Sequence, residues 1–309
     1  MKIGIAVGDV RGAATLTEVV HQVRVAADSG IDSAWSAQAL GWDALTTLAV
    51  AGAQVPAIAL GAAVVPTPQR HPLVLASQAL TAQAASGGRL TLGVGAGIAA
   101  MIQGMFGLSA DRPAARMREY LTVLSALLRG ETVNHRGETL TAVGAVDAPG
   151  TLPPILLLAA LGPAMLRVAG ELADGTVTWM TGPRTLADHI VPSVNRAAAA
   201  AGRPAPRVIA GLVVCVTGNE AEVRGRIAQQ FALAGQVPEY RAVLDREGAA
   251  GPGDVVVVSD EDGVAGHLRR IADTGVTDFL ACPFGTPAEQ DRTVAVLADL
   301  AKSTSAGAA

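Results

Sequence analysis

Residues able to act as acids, bases, nucleophiles or metal ligands are scarce in this chain. The four of most interest, Asp9, Gln38, His71 and Cys282, stand where short apolar runs end. Asp9 suits a general base or a loop-capping carboxylate. Gln38 offers a carboxamide to orient a substrate, or to serve backbone groups at a strand end. His71 lies between Arg70 and Pro72, and proline suits the first turn of a helix. A helix N-terminus disfavours a protonated imidazole. A neutral His71 there could donate to a carbonyl or ring oxygen, and its plainer role is to cap the helix. Cys282 reads as a thiol facing a site or as a small buried hydrophobe.

Other chemistries are excluded by what is missing. The five histidines, at 21, 71, 135, 189 and 267, show neither His-x-His nor His-x-x-x-His spacing, so no metal is expected. No G-x-S-x-G elbow is present. The only lysines are Lys2 and Lys302, which argues against Schiff-base and pyridoxal chemistry. A net charge of −4 and the lack of a basic block argue against nucleic acid. Cys215 and Cys282 form no CxxC and no disulfide framework, which suits a reducing cytoplasm. Lys2 precedes only a short apolar run before Asp9 and Arg11, so no secretory signal is expected. The charge-free stretches 44–69 and 90–110 carry Pro56 and Pro66, or repeated glycine, and read as buried segments, not membrane spans.

Elements must position the few polar groups. Strands are expected at 2–8, 33–38, 58–65, 90–95, 155–160, 176–180, 208–217 and 278–282, each a short, nearly continuous apolar run. Helices are expected between them: 15–30, with Thr15 and Glu18 as a capping box; one starting at the Asp43 cap; and one from Pro72 to Gly87-Gly88. Further helices follow at 113–130, after strand five up to Gly175, at 185–202, 263–275 and 287–302. Residues 132–140 read as a hairpin turning at Gly137, and 220–247 as a helical insertion after strand seven. Eight βα units in one domain over 1–309, with 303–309 a frayed tail, indicate a (β/α)8 TIM barrel. A doubly wound sheet is the runner-up, but Gly93-Val-Gly95-Ala-Gly97 is followed by Ile98, so the dinucleotide fingerprint fails.

A barrel places its site at the C-terminal strand ends. There the chain offers mostly small residues, Gly95-Ala96-Gly97 and Gly162-Pro163 among them, which let a ligand approach backbone N–H groups. Such a mouth suits a bound cofactor that carries the reactive atoms.

Five segments in order resemble one family: Ala27-Asp-Ser-Gly-Ile-Asp-Ser-Ala-Trp35; Leu60-Gly-Ala-Ala-Val-Val-Pro66 with Arg70-His-Pro72; Gly88-Arg-Leu-Thr-Leu-Gly-Val-Gly-Ala-Gly97; Ala169-Gly-Glu-Leu-Ala-Asp-Gly175; and Gly275-Val-Thr-Asp-Phe279. Nearly the whole chain resembles the bacterial luciferase-like superfamily, specifically its actinobacterial oxidoreductases that use coenzyme F420. The resemblance implies a cofactor at the barrel mouth, above a non-prolyl cis peptide that would fall at Ala63–Val64. It implies that Gly95, Ala96, Gly97 and Ile98 flank the cofactor, and that Leu161, Gly162, Pro163 and Ala164 bind its phosphate through backbone N–H groups. Some F420 enzymes carry Asp-His where this chain has Gln38-Ala39, and the sugar-phosphate branch has a glutamate where Ile98 stands. These departures favour a reductase that passes a hydride to a small organic substrate, with polar help from Gln38 or His71. An FMN-dependent monooxygenase, a coenzyme-binding protein without turnover and a cofactor-free barrel are the alternatives. The resemblance also implies a cytoplasmic homodimer.

Overall fold

Residues 1–12 and 14–306 are described by a computed structural model. In chain order they form β1 (Lys2–Val7), α1 (Leu16–Ser29), β2 (Ser33–Ser36), α2 (Ala44–Gln54), β3 (Ala59–Pro66), α3 (Pro72–Ala85) and β4 (Leu90–Gly95). Next come α4 (Ala99–Phe106), α5 (Pro113–Leu128), the hairpin β5 (Val133–Arg136) and β6 (Thr141–Gly144), β7 (Ile155–Ala159), α6 (Pro163–Leu172) and β8 (Gly175–Trp179). The remainder is α7 (Pro183–Thr185), α8 (Val191–Ala200), β9 (Arg207–Val216), α9 (Glu220–Gln230), α10 (Pro238–Glu247), β10 (Val257–Ser259), α11 (Glu261–Ala272), β11 (Asp278–Pro283) and α12 (Pro287–Ala306).

Eight strands run parallel in the order β9-β11-β1-β2-β3-β4-β7-β8, and β8 pairs back to β9 to close the (β/α)8 barrel expected from the sequence. Local signals start the helices as read. Thr15 and Glu18 close their capping box, and the Asp43 carboxylate accepts the Thr46 N–H at 2.8 Å. Between barrel and helices lies a continuous hydrophobic core that includes Ile5, Leu48, Leu75, Leu92, Leu124 and Phe279. Inside the barrel, Trp35 is the bulkiest filler. A Cβ on Gly61 would sit 2.1 Å from its ring, so the indole occupies the space a side chain there would take.

The long β9 explains a strand that sequence periodicity missed. β8 pairs with Arg207–Gly211, and β10 pairs in parallel with 214–216. β10 therefore covers the β9 edge above the point where β8 ends. The helical insertion expected over 220–247 is present before it, as α9 and α10. It breaks at 231–237 between α9 and α10. The helix expected over 185–202 is also divided, into α7, a π turn at Leu186–Ile190 and α8. Pro192, which lacks an N–H, follows the wide turn in which Val191 N–H reaches back to Leu186 O. The hairpin returns along 141–144 and does not end at 140, because its turn closes from Gly137 N–H to Leu140 O. Helix α12 runs past Lys302 to Ala306, and 307–309 of the expected tail lie outside the described residues. Among the described residues no helix is long and apolar enough to cross a membrane.

Candidate active site at the barrel mouth

The strand ends converge on an apolar floor. Val10, Ala63, Val64, Ala159 and Trp179 are half-buried and pack on the inner cluster of Ala6, Trp35, Leu157, Val177, Ile209, Leu280 and Cys282. They come from the ends of β3, β7 and β8 and from the turn after β1. The Ala63–Val64 peptide is cis, and the β3–β4 register shifts between Ala62 and Val65. The glycines of β4 answer that bulge. A Cβ on Gly93 would meet Ala62 O at 2.3 Å and Val64 Cγ1 at 3.1 Å, and one on Gly95 would meet Val64 Cγ2 at 2.9 Å. Gly93 and Gly95 thus give Val64 the room to lie in the floor.

Beyond β4, Ala96 is half-buried, Gly97 turns the chain with φ +75°, and Ile98 starts α4, a helix absent from the sequence reading. Beyond β7, Gly162 precedes Pro163 at the start of α6. Leu166 N–H bonds Gly162 O, whereas the N–H groups of Ala164 and Met165 have no acceptor among the described residues. A Cβ on Gly162 would meet nothing within 4 Å, so the approach to those donors is open. His189, on the π turn, fixes this loop by a 2.9 Å contact between Nε2 and Leu161 O.

Gln38 and His71 sit beside this mouth, tied to backbone. Gln38 N–H donates to Val64 O at 3.2 Å, and its Oε1 accepts from Ala44 N–H at 2.8 Å and from Arg70 at 3.3 Å. Arg70 bonds Asp43 at 2.5 Å. Burial of Asp43 works to raise its carboxyl pKa, but bonds from the Thr46 amide and hydroxyl and the charge of Arg70 together hold it below the ordinary value. His71 caps α3: Nδ1 accepts Leu73 N–H at 3.3 Å, and Nε2 lies 2.9 Å from Thr141 O, which requires the Nε2–H tautomer. Asp9 is exposed in the turn after β1, its carboxylate against Gly41. Cys282 is buried, with Sγ 3.7 Å from Val10 O, and burial pushes its thiol up to about 12. It is a core residue, not a nucleophile.

Sequence reasoning missed three polar residues here. Arg11, at the top of β1, is half-buried with Nε donating to Gln290 Oε1 at 3.1 Å, and it brings a cation to the edge of the floor. Glu119 on α5 holds the hairpin turn through the N–H groups of Glu138 and Thr139, each at 3.1 Å, and through His135. Gln69 lines a half-open cavity of about 260 Å³ between the β3–α3 loop, α5 and the hairpin, and its buried Oε1 has no hydrogen-bond partner. Ordinary surface residue types gave no sign of these roles. The insertion closes one side of the mouth, where Phe231 meets the Trp179 ring edge-on at 6.1 Å between centroids. Among the described residues, no group of three or more His, Cys, Asp or Glu could hold a metal.

The model of the luciferase-like monooxygenase family matches residues 1–301. The 5,10-methylenetetrahydromethanopterin reductase of Archaeoglobus fulgidus is 30% identical over 241 residues, covering 75% of this chain and 70% of the reductase. Among solved structures, an F420-dependent secondary alcohol dehydrogenase in complex with an F420-acetone adduct superposes with TM-score 0.80 at 16% identity, covering 96% of this chain and 97% of that one. The FMN-bound oxygenating component of 3,6-diketocamphane monooxygenase from Pseudomonas putida superposes with TM-score 0.73 at 17% identity, over 96% and 97% of the two chains. The two structural likenesses show the shared barrel, and the family-model match over residues 1–301 shows more: the chain belongs to the luciferase-like monooxygenase family.

Proposed function

We propose that this protein is a coenzyme F420-dependent oxidoreductase that moves a hydride between the deazaflavin and a small organic substrate. The observation that carries this reading is the floor of Val10, Ala63, Val64, Ala159 and Trp179, in which no side chain is an acid or a base. Such a surface holds a flat ring and does no proton transfer of its own. Its chemistry fits a planar coenzyme with a phosphorylated tail: apolar beneath the ring, with the unpartnered amides of Ala164 and Met165 open for a phosphate. The F420-bound dehydrogenase of the same fold supports the choice of deazaflavin, and the 30% identical archaeal reductase supports a reductase.

When bound, the coenzyme supplies the hydride. The protein's residues bind, orient and exclude water. Ala63 and Val64 would support the ring, Gly95, Ala96, Gly97 and Ile98 would border it, and Leu161, Gly162, Pro163 and Ala164 would receive the phosphate. Gln38 acts as a positioning residue, since its N–H holds Val64 O and its side chain joins Ala44 and Arg70. His71 locks the start of α3 to the hairpin. Arg11, held by Gln290, would stabilise negative charge that develops on a hydride acceptor at that edge of the floor.

An FMN-dependent monooxygenase is the second reading, favoured by the FMN-bound member of the same fold. Fluorescence titration with coenzyme F420 and with FMN separates the two. Saturable F420 binding, weakened by Gly162→Leu and at least roughly tenfold tighter than FMN, is the expected result. Tighter FMN binding overturns the assignment, and F420 binding without reduction of any carbonyl or alkene substrate makes the protein a coenzyme carrier.

A further inference from the structure

We propose that the cavity beside β3 is a second ligand site, built for a small organic carboxylate held by Arg116 and Gln69. The cavity encloses about 260 Å³ between the β3–α3 loop, α5 and the β5–β6 hairpin. At ~30 Å³ per water that is room for about nine waters, or a ligand of roughly a dozen heavy atoms. The inference does not depend on which coenzyme occupies the mouth.

Two side chains in the lining lack the partners that protein interiors normally supply. The Gln69 carboxamide makes no hydrogen bond among the described residues, although its Oε1 is buried. Buried polar atoms are rarely left so, because desolvation is uncompensated. The half-buried Arg116 makes one side-chain hydrogen bond, from its guanidinium to the Ser109 carbonyl, and no carboxylate lies within ion-pair distance among the described residues. The other cation of the lining, Arg70, is neutralised by Asp43 at 2.5 Å. Nearby acids are committed elsewhere. Glu119 holds His135 and the hairpin amides, and Asp111 accepts the Ser109 hydroxyl at 2.7 Å. Arg116 is therefore the cation of the lining that has no carboxylate in ion-pair contact among the described residues.

The competing donors are used. Tyr120 gives its hydroxyl proton to Arg70 O at 2.8 Å, and Thr67 bonds Gly95 O at 3.2 Å. Recognition falls to Arg116, whose planar fork matches a carboxylate, and to Gln69 through its Nε2 amide, since the buried Oε1 is an acceptor and takes no part in holding an acid. Met117, Ala96 and Leu140 supply apolar wall, which suits an organic body more than a bare inorganic anion.

The test uses the full chain labelled with 13C at its methionine methyls, with the Met117 signal identified through Met117→Leu. Hexanoate and benzoate are titrated against hexanamide, benzamide and inorganic phosphate. The expected result is a saturable shift of the Met117 methyl by at least one carboxylate, roughly tenfold weaker for its amide. Arg116→Gln and Gln69→Leu each weaken it by roughly tenfold or more, and Arg116→Lys, which keeps the charge but not the fork, weakens it less than Arg116→Gln does. The proposal is overturned by no Met117 shift up to about 10 mM carboxylate, by phosphate or an amide binding as tightly as the acid, or by Arg116→Gln leaving the affinity unchanged.

Discussion

If the glycines of β4 exist to seat Val64, then Gly95→Ala must act through Val64 and through little else. The added Cβ would lie 2.9 Å from Val64 Cγ2 and 3.4 Å from Ala159 Cβ. The first distance forces a displacement; the second is ordinary contact. Overpacking of this kind costs ~1–3 kcal/mol, offset by ~0.4–1 kcal/mol from the smaller entropy of an alanine in the unfolded chain. The expected net loss is about 1–2 kcal/mol. In a Val64→Ala background Cγ2 is gone, so the same substitution turns neutral or stabilising by up to ~1 kcal/mol. The double-mutant cycle should thus show a coupling of about 2 kcal/mol, well above the ~0.5 kcal/mol within which independent sites add. Urea unfolding of the four proteins measures it. Coenzyme titration of the same four should show affinity falling in Gly95→Ala, where Val64 has been pushed, and partly recovering in the double variant. Additive effects would refute the argument that Gly95 is small on account of Val64.

Three other outcomes follow from the geometry. Arg207 bonds the buried Asp278 at 2.6 Å, so Arg207→Met strands a carboxylate whose side chain is 7% exposed; a loss of about 3–5 kcal/mol is expected in denaturant unfolding, and less when Asp278→Leu is added. Burial pushes Cys215 up to about 11 and Cys282 to about 12, so a thiol reagent at pH 8 should leave both unmodified until the chain unfolds; rapid labelling of native protein would contradict that burial. The Asp43 carboxyl lies below its unfolded value of 3.8 in the fold, so its contribution is present at neutral pH and is lost as pH falls from 3.8 through the lower folded value. Asp43→Asn should flatten that acid limb in thermal melts taken as a function of pH, and an unchanged limb would place the acid sensitivity elsewhere.

The barrel was legible because its signals are local and repeated. Thr15 with Glu18, Asp43 before α2, Pro72 and Pro113 at the starts of their helices, and short apolar runs between them all act through adjacent residues. The misses have tertiary causes. Helix α4 has no side-chain cap at Ile98, and only Ile102 of its residues is buried, so no amphipathic period announces it. Strand β10 is three residues long and exists because β9 outruns β8, a mismatch that no window around 257–259 contains. The π turn before Pro192 is likewise a response to a proline carried within a helix, not a propensity of Leu186–Ile190 themselves.

The site divides along a different line. Its small residues were readable, since a glycine stands out in a strand, and the positions at 93 and 95 have a mechanical meaning: they admit the Val64 side chain into the floor. Its polar residues were not readable, because Arg116, Gln69 and Glu119 are ordinary surface types whose significance lies in their partners. Glu119 matters because it has acquired three, and Gln69 and Arg116 because they have acquired almost none. A count of partners is a property of the folded molecule, since only the fold decides whether water or protein faces a side chain. The shortage of acids and bases at the mouth and the unpaired groups beside it therefore belong to one pattern: the protein supplies surfaces and unspent donors, and leaves the reacting atoms to what binds there.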